Sequence, residues 1–222
     1  KADIELAKNF NLMIRGAVNT FNQFREQKRP LDLNRSPQGS YRRQDITKME
    51  SNIDFLFNYS TKIGDDFTID ANFGGNRLNY EYTNVSAIAD QLSTPGIYKL
   101  TNSLNPVRTV TSDAYKKVNS LYGMVSLGWK NQIFVDFTGR NDWSSTLPEH
   151  NNSFFYPSVT TSFILSDIFN IKGPFDYIKY RAAFAQVGND TEPYRTSKYY
   201  DTSEFSSSNE VANTLYNIDL KP

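Results

Sequence analysis

The stretch that decides the fold reads Ile53-Asp54-Phe55-Leu56-Phe57-Asn58-Tyr59-Ser60-Thr61-Lys62-Ile63, then Gly64-Asp65-Asp66, then Phe67-Thr68-Ile69-Asp70-Ala71-Asn72-Phe73. In an extended chain successive side chains point to opposite faces. Ile53, Phe55, Phe57, Tyr59 and Ile63 therefore share one face, and Asp54, Asn58, Ser60 and Lys62 share the other, with Leu56 as the departure. Gly-Asp-Asp is a tight-turn signal. Alternation restarts behind it, with Phe67, Ile69, Ala71 and Phe73 against Thr68, Asp70 and Asn72. The segment predicts two long strands closed by a short turn.

The same plan recurs. Leu121, Val125, Leu127 and Trp129 alternate with Tyr122, Met124, Ser126 and Gly128. Lys130-Asn131-Gln132 make a turn, and Ile133, Val135 and Phe137 alternate with Phe134, Asp136, Thr138 and Arg140. Three further strands are expected: Phe10 to Thr20, with Phe10, Leu12, Ile14 and Val18 on one face; Phe155 to Leu165; and Ile178 to Gly188. The chain thus reads as all-β, with about seven antiparallel strands of about 9–12 residues each, longer than the common globular strand of about 5–6. A tilted strand needs about 9–11 residues to cross a bilayer.

Connections alternate in length. Short turns join the strands at Gly64 and at Lys130. Long polar segments are expected over 21–51, 77–119 and 189–222, with a medium loop at 141–153 and a moderate connection at 166–176. Antiparallel barrels of outer membranes keep short turns on one side and long loops on the other, so this phase orients the strands. Trp129 marks the turn end, where an interfacial aromatic belongs, and Tyr59 and Phe67 flank the other turn. On pattern alone two readings stay open, a transmembrane β-barrel wall and a soluble sandwich, since both alternate.

Composition narrows the classes. Hydrophobic residues make up 38% and aromatics 14%, with 16 Phe and 14 Tyr. No run of about 18 apolar residues suggests a membrane helix. The net charge is +0, which argues against a nucleic-acid partner. With no cysteine there is neither a disulfide nor a thiolate site. No HExxH motif or EF-hand loop occurs, Asp65-Asp66 reads as a turn pair, and Asp201 sits in a polar tail, so neither metal nor cofactor is expected. The sole histidine, His150, has Ser144 and Asp142 near it in sequence, but triad members meet in space, not along the chain; no enzyme is expected. The start at Lys1-Ala2-Asp3 and the stop at Lys221-Pro222 read as the bounds of a window in a longer chain.

Three blocks carry a resemblance. They are Val135-Asp-Phe-Thr-Gly-Arg-Asn-Asp-Trp-Ser-Ser-Thr-Leu-Pro148; Asn152-Ser-Phe-Phe-Tyr-Pro-Ser-Val159 with Phe163-Ile-Leu-Ser166; and Ile178-Lys-Tyr-Arg-Ala-Ala-Phe-Ala-Gln-Val-Gly-Asn-Asp190. With Gly39-Ser40-Tyr41, Asn52-Ile-Asp-Phe-Leu56 and Asp219-Leu-Lys-Pro222, they resemble the barrel of the SusC/RagA family of TonB-dependent outer-membrane transporters. The resemblance covers about residues 39–222. It implies a middle portion of a larger barrel, without the plug domain or the C-terminal strands. It also implies import of oligomeric nutrients, glycans or oligopeptides, across the outer membrane of a Bacteroidetes-type bacterium. The implied partners are a SusD-like surface lipoprotein, TonB acting through a region absent here, the bilayer and lipopolysaccharide. A passive porin or an adhesive surface barrel is the alternative.

Candidate contact residues follow. In Arg140-Asn141-Asp142-Trp143, Trp143 can stack on a sugar while Asn141 and Asp142 take hydroxyl bonds; equally, Arg140 can pair with Asp142 and Trp143 can anchor the interface. Tyr80, Tyr82, Tyr98 and Tyr115, set among Asn and Ser, suit either an adaptable contact surface or a self-packed loop. Arg25, Lys28, Arg29, Arg35, Arg42, Arg43 and Lys48 make a basic segment that suits lipopolysaccharide phosphates, an acidic ligand or a solvated face.

Overall fold

The Ile53–Phe73 segment forms the expected hairpin, inside strands that run further than alternation indicates. The structure is a computed structural model; it describes residues 1–31, 37–171, 173, 177–196, 200–202, 209–211 and 217–221. The strands are β1 (Ala2–Ala7), β2 (Phe10–Arg29), β3 (Ser40–Ile63), β4 (Phe67–Ala89), β5 (Arg108–Trp129), β6 (Ile133–Ser144), β7 (Ser153–Ile164) and β8 (Lys179–Ala185). All eight form one antiparallel sheet in sequence order. The short helix α1 (Leu165–Ile168) precedes β8, and β9 (Tyr200–Thr202) pairs with β10 (Asn209–Val211) in a separate ribbon.

Register fixes the faces. In β5 and β6 Val125 stands opposite Phe137, Leu127 opposite Val135 and Trp129 opposite Ile133. Phe137 pairs with Val159 and Ile133 with Phe163, and across the next seam Val159 meets Phe184 and Phe163 meets Tyr180. The apolar residues named from alternation therefore line up over four strands. Tight turns close one end. Lys130 (φ 51°) and Asn131 (φ 56°) both take the left-handed conformation that two-residue hairpin turns require, and Gly64 has φ 63°. Backbone bonds Ser60 N–H to Asn9 O (3.1 Å), Lys130 N–H to Asp66 O (2.7 Å) and Ile164 N–H to Gln132 O (2.8 Å) tie neighbouring strands together at that end.

Several boundaries differ from expectation. β1 is an added strand; Ala2, Ile4 and Leu6 alternate with Asp3 and Glu5, and Ala2 pairs with Ile14 and Ile4 with Leu12. Segments 21–51 and 77–119 are mostly strand, leaving connections at 30–39 and 90–107, and β6 carries on to Ser144. Backbone pairing does not need one-sided hydrophobicity, so the ladder continues where alternation stops. Leu165 opens α1 instead of ending β7, and β8 stops at Ala185.

By internal packing the chain divides into two compact units: Lys1–Ala17, Asn52–Leu78 and Lys116–Pro222; and Val18–Ser51 with Asn79–Tyr115. In the first unit the burial of a water-soluble protein is inverted. Ile53 (61% exposed), Phe155 (63%) and Phe184 (65%) lie open, whereas Asp54 (6%), Asp142 (7%) and Ser144 (1%) are buried. In water such a face would be a large apolar patch of the kind that marks a membrane or protein contact; against lipid it costs nothing. The apolar stretch of β3 ends near Ile53, so Ile53–Ile63 matches one bilayer crossing.

The second unit carries its own small core of Tyr41, Ala89 and Leu92, with Tyr98 and Leu100 packed on it. Asn102 clasps the 90–107 connection, accepting from Thr94 N–H (3.1 Å) and donating to Thr94 O (2.8 Å) and Ile97 O (2.7 Å). Tyr41 donates to Glu26. That bond holds the Glu26 carboxyl below its usual range and lifts the Tyr41 phenol above its own.

A lysine on the open face should block insertion and one on the polar face should not. Mid-membrane Lys costs about 2–4 kcal/mol on the lipid side. In the full-length protein, Phe57→Lys and Val125→Lys are expected to lower the assembled, heat-modifiable form strongly, whereas Asn58→Lys assembles like the wild type. Equal assembly of all three would reverse the facing.

Candidate functional site

The polar face of the first unit carries a charge pair between β2 and β3 and another within β6. Arg15 on β2 reaches Asp54 on β3, Nε to Oδ2 at 3.0 Å. The other Asp54 oxygen accepts from Asn76 on β4 at 2.7 Å, and the same Asn76 amide group donates to Asn52 at 3.3 Å. Both carboxylate oxygens are thus satisfied, as burial demands. On β6 Arg140 and Asp142, two residues apart, share the polar face: Nε to Oδ1 is 2.8 Å. Arg140 also donates to Ser120 Oγ on β5 at 2.9 Å, and Tyr156 on β7 donates to the second Asp142 oxygen.

Tyr122 lies between the pairs. The Arg140 guanidinium stands 5.5 Å from its ring centroid, within cation–π range. Gly74 makes room for that ring: a Cβ there would stand 2.9 Å from Tyr122 and 2.6 Å from the Phe55 carbonyl oxygen. Arg15, Ala17, Asn52, Asp54, Asn76, Tyr122 and Arg140 line a groove of about 500 Å³. Each guanidinium is balanced by one carboxylate, yet the Arg15 side chain is 54% exposed. The groove therefore offers hydrogen-bond donors and an aromatic face without a net charge.

Of the residues singled out from sequence, Arg140 and Asp142 meet here. Asn141 and Trp143 do not. They stand opposite Leu121 and Asn119 on β5, on the open face, and Asn141 exchanges hydrogen bonds with Ser153. Trp143 and Asp142 thus stand on opposite faces of β6, and Arg140 pairs with Asp142. Tyr80, Tyr82 and Tyr98 belong to the second unit. Tyr98 packs on that unit's core, and Lys48 lies 5.9 Å from the rings of both Tyr82 and Phe21. Tyr115 is exposed on β5. Arg42 donates to Ser86, Arg43 pairs with Asp45, Lys28 pairs with Glu26 and Arg25 donates to Gln23; Arg35 lies outside the described residues. Asp142, Ser144 and His150 have separate partners: Ser144 bonds Asp190, and His150 lies 3.2 Å from Asp219. Sequence reading missed Arg15, Asp54, Asn76 and Tyr122. Their signal was a charged, amide or aromatic residue on the polar face of a membrane-length strand.

Removing one member of a buried pair strands the other. Asp142→Ala is expected to destabilise the full-length barrel by about 2–3 kcal/mol, given the part-exposed arginine. The double change Arg140→Met with Asp142→Leu should cost less than Asp142→Ala alone, measured by urea unfolding in detergent; additive losses would deny the coupling.

No family model matches the chain. TonB-dependent receptor P26 of Formosa agariphila is 27% identical over 145 residues, covering 62% of this chain and 14% of the receptor. Solved structures of the RagAB peptide importer superpose with TM-scores of 0.82 (closed-closed state, 19% identity) and 0.77 (open-open state, 20%). Each covers 99% of this chain and 25% of the matched one, so the chain spans a quarter or less of the proteins it resembles. The eight-stranded antiparallel sheet has the fold of a stretch of barrel wall in those structures, and the sequence is similar to that TonB-dependent receptor.

Proposed function

We propose that the protein imports oligomeric nutrients, glycans or oligopeptides, through a TonB-dependent barrel in the outer membrane of a Bacteroidetes-type Gram-negative bacterium. The observation that carries the reading is the inverted wall. Its apolar face suits lipid, and its polar face presents a charge-balanced groove with Arg15, Tyr122 and Arg140 toward the lumen. A neutral, donor-rich surface binds backbone carbonyls or sugar hydroxyls weakly and repeatedly, which passage requires. In this reading a SusD-like lipoprotein captures substrate outside, TonB supplies energy through a part of the protein beyond this chain, and the basic segment with Arg25, Lys28, Arg29, Arg42, Arg43 and Lys48 meets lipopolysaccharide. Tyr80, Tyr82 and Tyr98 then act as contacts for substrate or lipoprotein, and Arg140 and Asp142 belong to the lumen wall. Trp143 is the interfacial anchor.

The test is uptake by intact cells. Deleting the gene is expected to abolish uptake of a defined oligosaccharide or oligopeptide series but not of its monomers, and inactivating TonB should have the same effect. Binding of both series to the purified transporter with its lipoprotein then identifies the substrate class. Uptake that persists without TonB favours the passive porin.

A further inference from the structure

Beyond β8 the chain does not continue as wall. Gln186 makes one last wall bond, N–H to Pro157 O at 3.0 Å. Two residues on, Gly188 lies against the Phe154 ring, so closely that a Cβ would stand 2.6 Å from it. Two more residues bring Asp190 to the far side of β6. One carboxylate oxygen accepts from Ser144 Oγ at 2.7 Å and more weakly from Thr146 Oγ1 at 3.4 Å, and Lys116 Nζ on β5 sits 2.7 and 2.8 Å from the two oxygens. Phe154 stands opposite Asp142, and Ser144 opposite Val118, in the same alternation as Arg140. Phe154 and Ser144 are therefore both on the polar face. Pro157 stands opposite Gly139 and Phe154 opposite Asp142, so from Gln186 to Asp190 the contacts climb β6 from Gly139 to Ser144, roughly 17 Å along the strand. Five extended residues reach about that far, so the segment runs mainly along the strands, over the polar face of β6 and β7.

We infer that residues 186–190 form a fixed strap lying along the polar face of β6 and β7, held by Asp190, which sets the size of the molecule admitted to the groove along Tyr122, Arg140 and Tyr156. Its anchor is strong: Asp190 is 14% exposed and Lys116 25%, so the ion pair is shielded, and two hydroxyls complete the shell. The loop beneath is tied to the same strand, with Ser145 N–H to Lys117 O and Lys117 N–H to Ser145 Oγ both at 2.9 Å. The strap also rests on the aromatic layer that orients the site. Phe154 stacks on Tyr156 at 5.7 Å, and Tyr156 donates to Asp142. Gln186 borders a groove of about 480 Å³ that Met124, Thr138, Arg140 and Tyr156 also line. Asp190 is a positioning residue: it acts through the strap. Its filtering consequence rests on the lumen reading above, but the strap can be tested without transport.

The test uses the full-length transporter, purified in detergent, with Met124→Cys as a reporter in the groove in a background free of other cysteines. Labelling is followed with plain maleimide and with maleimide-polyethylene glycols of increasing mass. In Asp190→Ala the rate with the larger reagents is expected to rise roughly tenfold, with the small reagent unchanged, and hydrogen exchange at 186–190 to rise in step. Lys116→Met, which keeps the Ser144 and Thr146 bonds, should shift the same way by less and covers the case in which Asp190→Ala fails to assemble. An unchanged size profile in assembled variants overturns the inference, as does faster exchange without a changed profile. A shifted profile in a protein that imports neither oligomer series leaves the strap standing and defeats the proposed function instead.

Discussion

The structure depends on one constraint: where a wall faces lipid, every backbone amide and carbonyl must find its partner inside the sheet. The antiparallel ladder meets it, with unbroken pairing from Val118 and Ser144 down to Trp129 and Ile133. Once the ladder is fixed, side-chain direction is fixed with it. Across the paired stretches of β5, β6 and β7, even-numbered residues share one face and odd-numbered residues share the other. Hydrophobic burial, the usual organiser of a fold, has little to do here, and the described residues of the first unit bury mainly Asp, Ser and Thr.

That inversion explains the design of the polar face. Asp54 and Asp142 cannot stay charged among neighbours without partners, so each takes an arginine and at least one further donor from an adjacent strand. Such pairs add little net stability over apolar packing, but the bonds that cross strands, Arg15 to Asp54, Arg140 to Ser120 and Tyr156 to Asp142, demand a specific register. They therefore pin strands to one another where the side chains on the other face, greasy and interchangeable, do not. Asp190 extends the same logic off the sheet, with the carboxylate holding a loop instead of a strand.

Alternation was a reliable guide where one face met lipid. Phe10 to Val18, Ile53 to Ile63 and Leu121 to Phe137 were legible because a membrane wall writes its two solvents into successive residues. It was a poor guide beyond. Ser40–Ser51, Asn79–Ala89 and Arg108–Asn119 are strands with polar residues on both faces, so nothing of period two separates them from loops. The 140–143 run shows a subtler failure. Four adjacent residues look like one site in sequence, yet a strand deals them alternately to opposite faces, and Trp143 faces away from Asp142.

The sequence by itself determined the all-β class, the turns, the two faces of the membrane-length strands and the resemblance to SusC/RagA barrels. These follow from neighbours along the chain, two residues apart or within one turn. Only the tertiary structure decided which polar residues meet. Arg15 finds Asp54 39 positions away, and Lys116 finds Asp190 74 positions away. Such meetings depend on strand register, a sum over many backbone bonds that no local pattern carries. The wall could be read from the chain; the contacts on its polar face required the sheet.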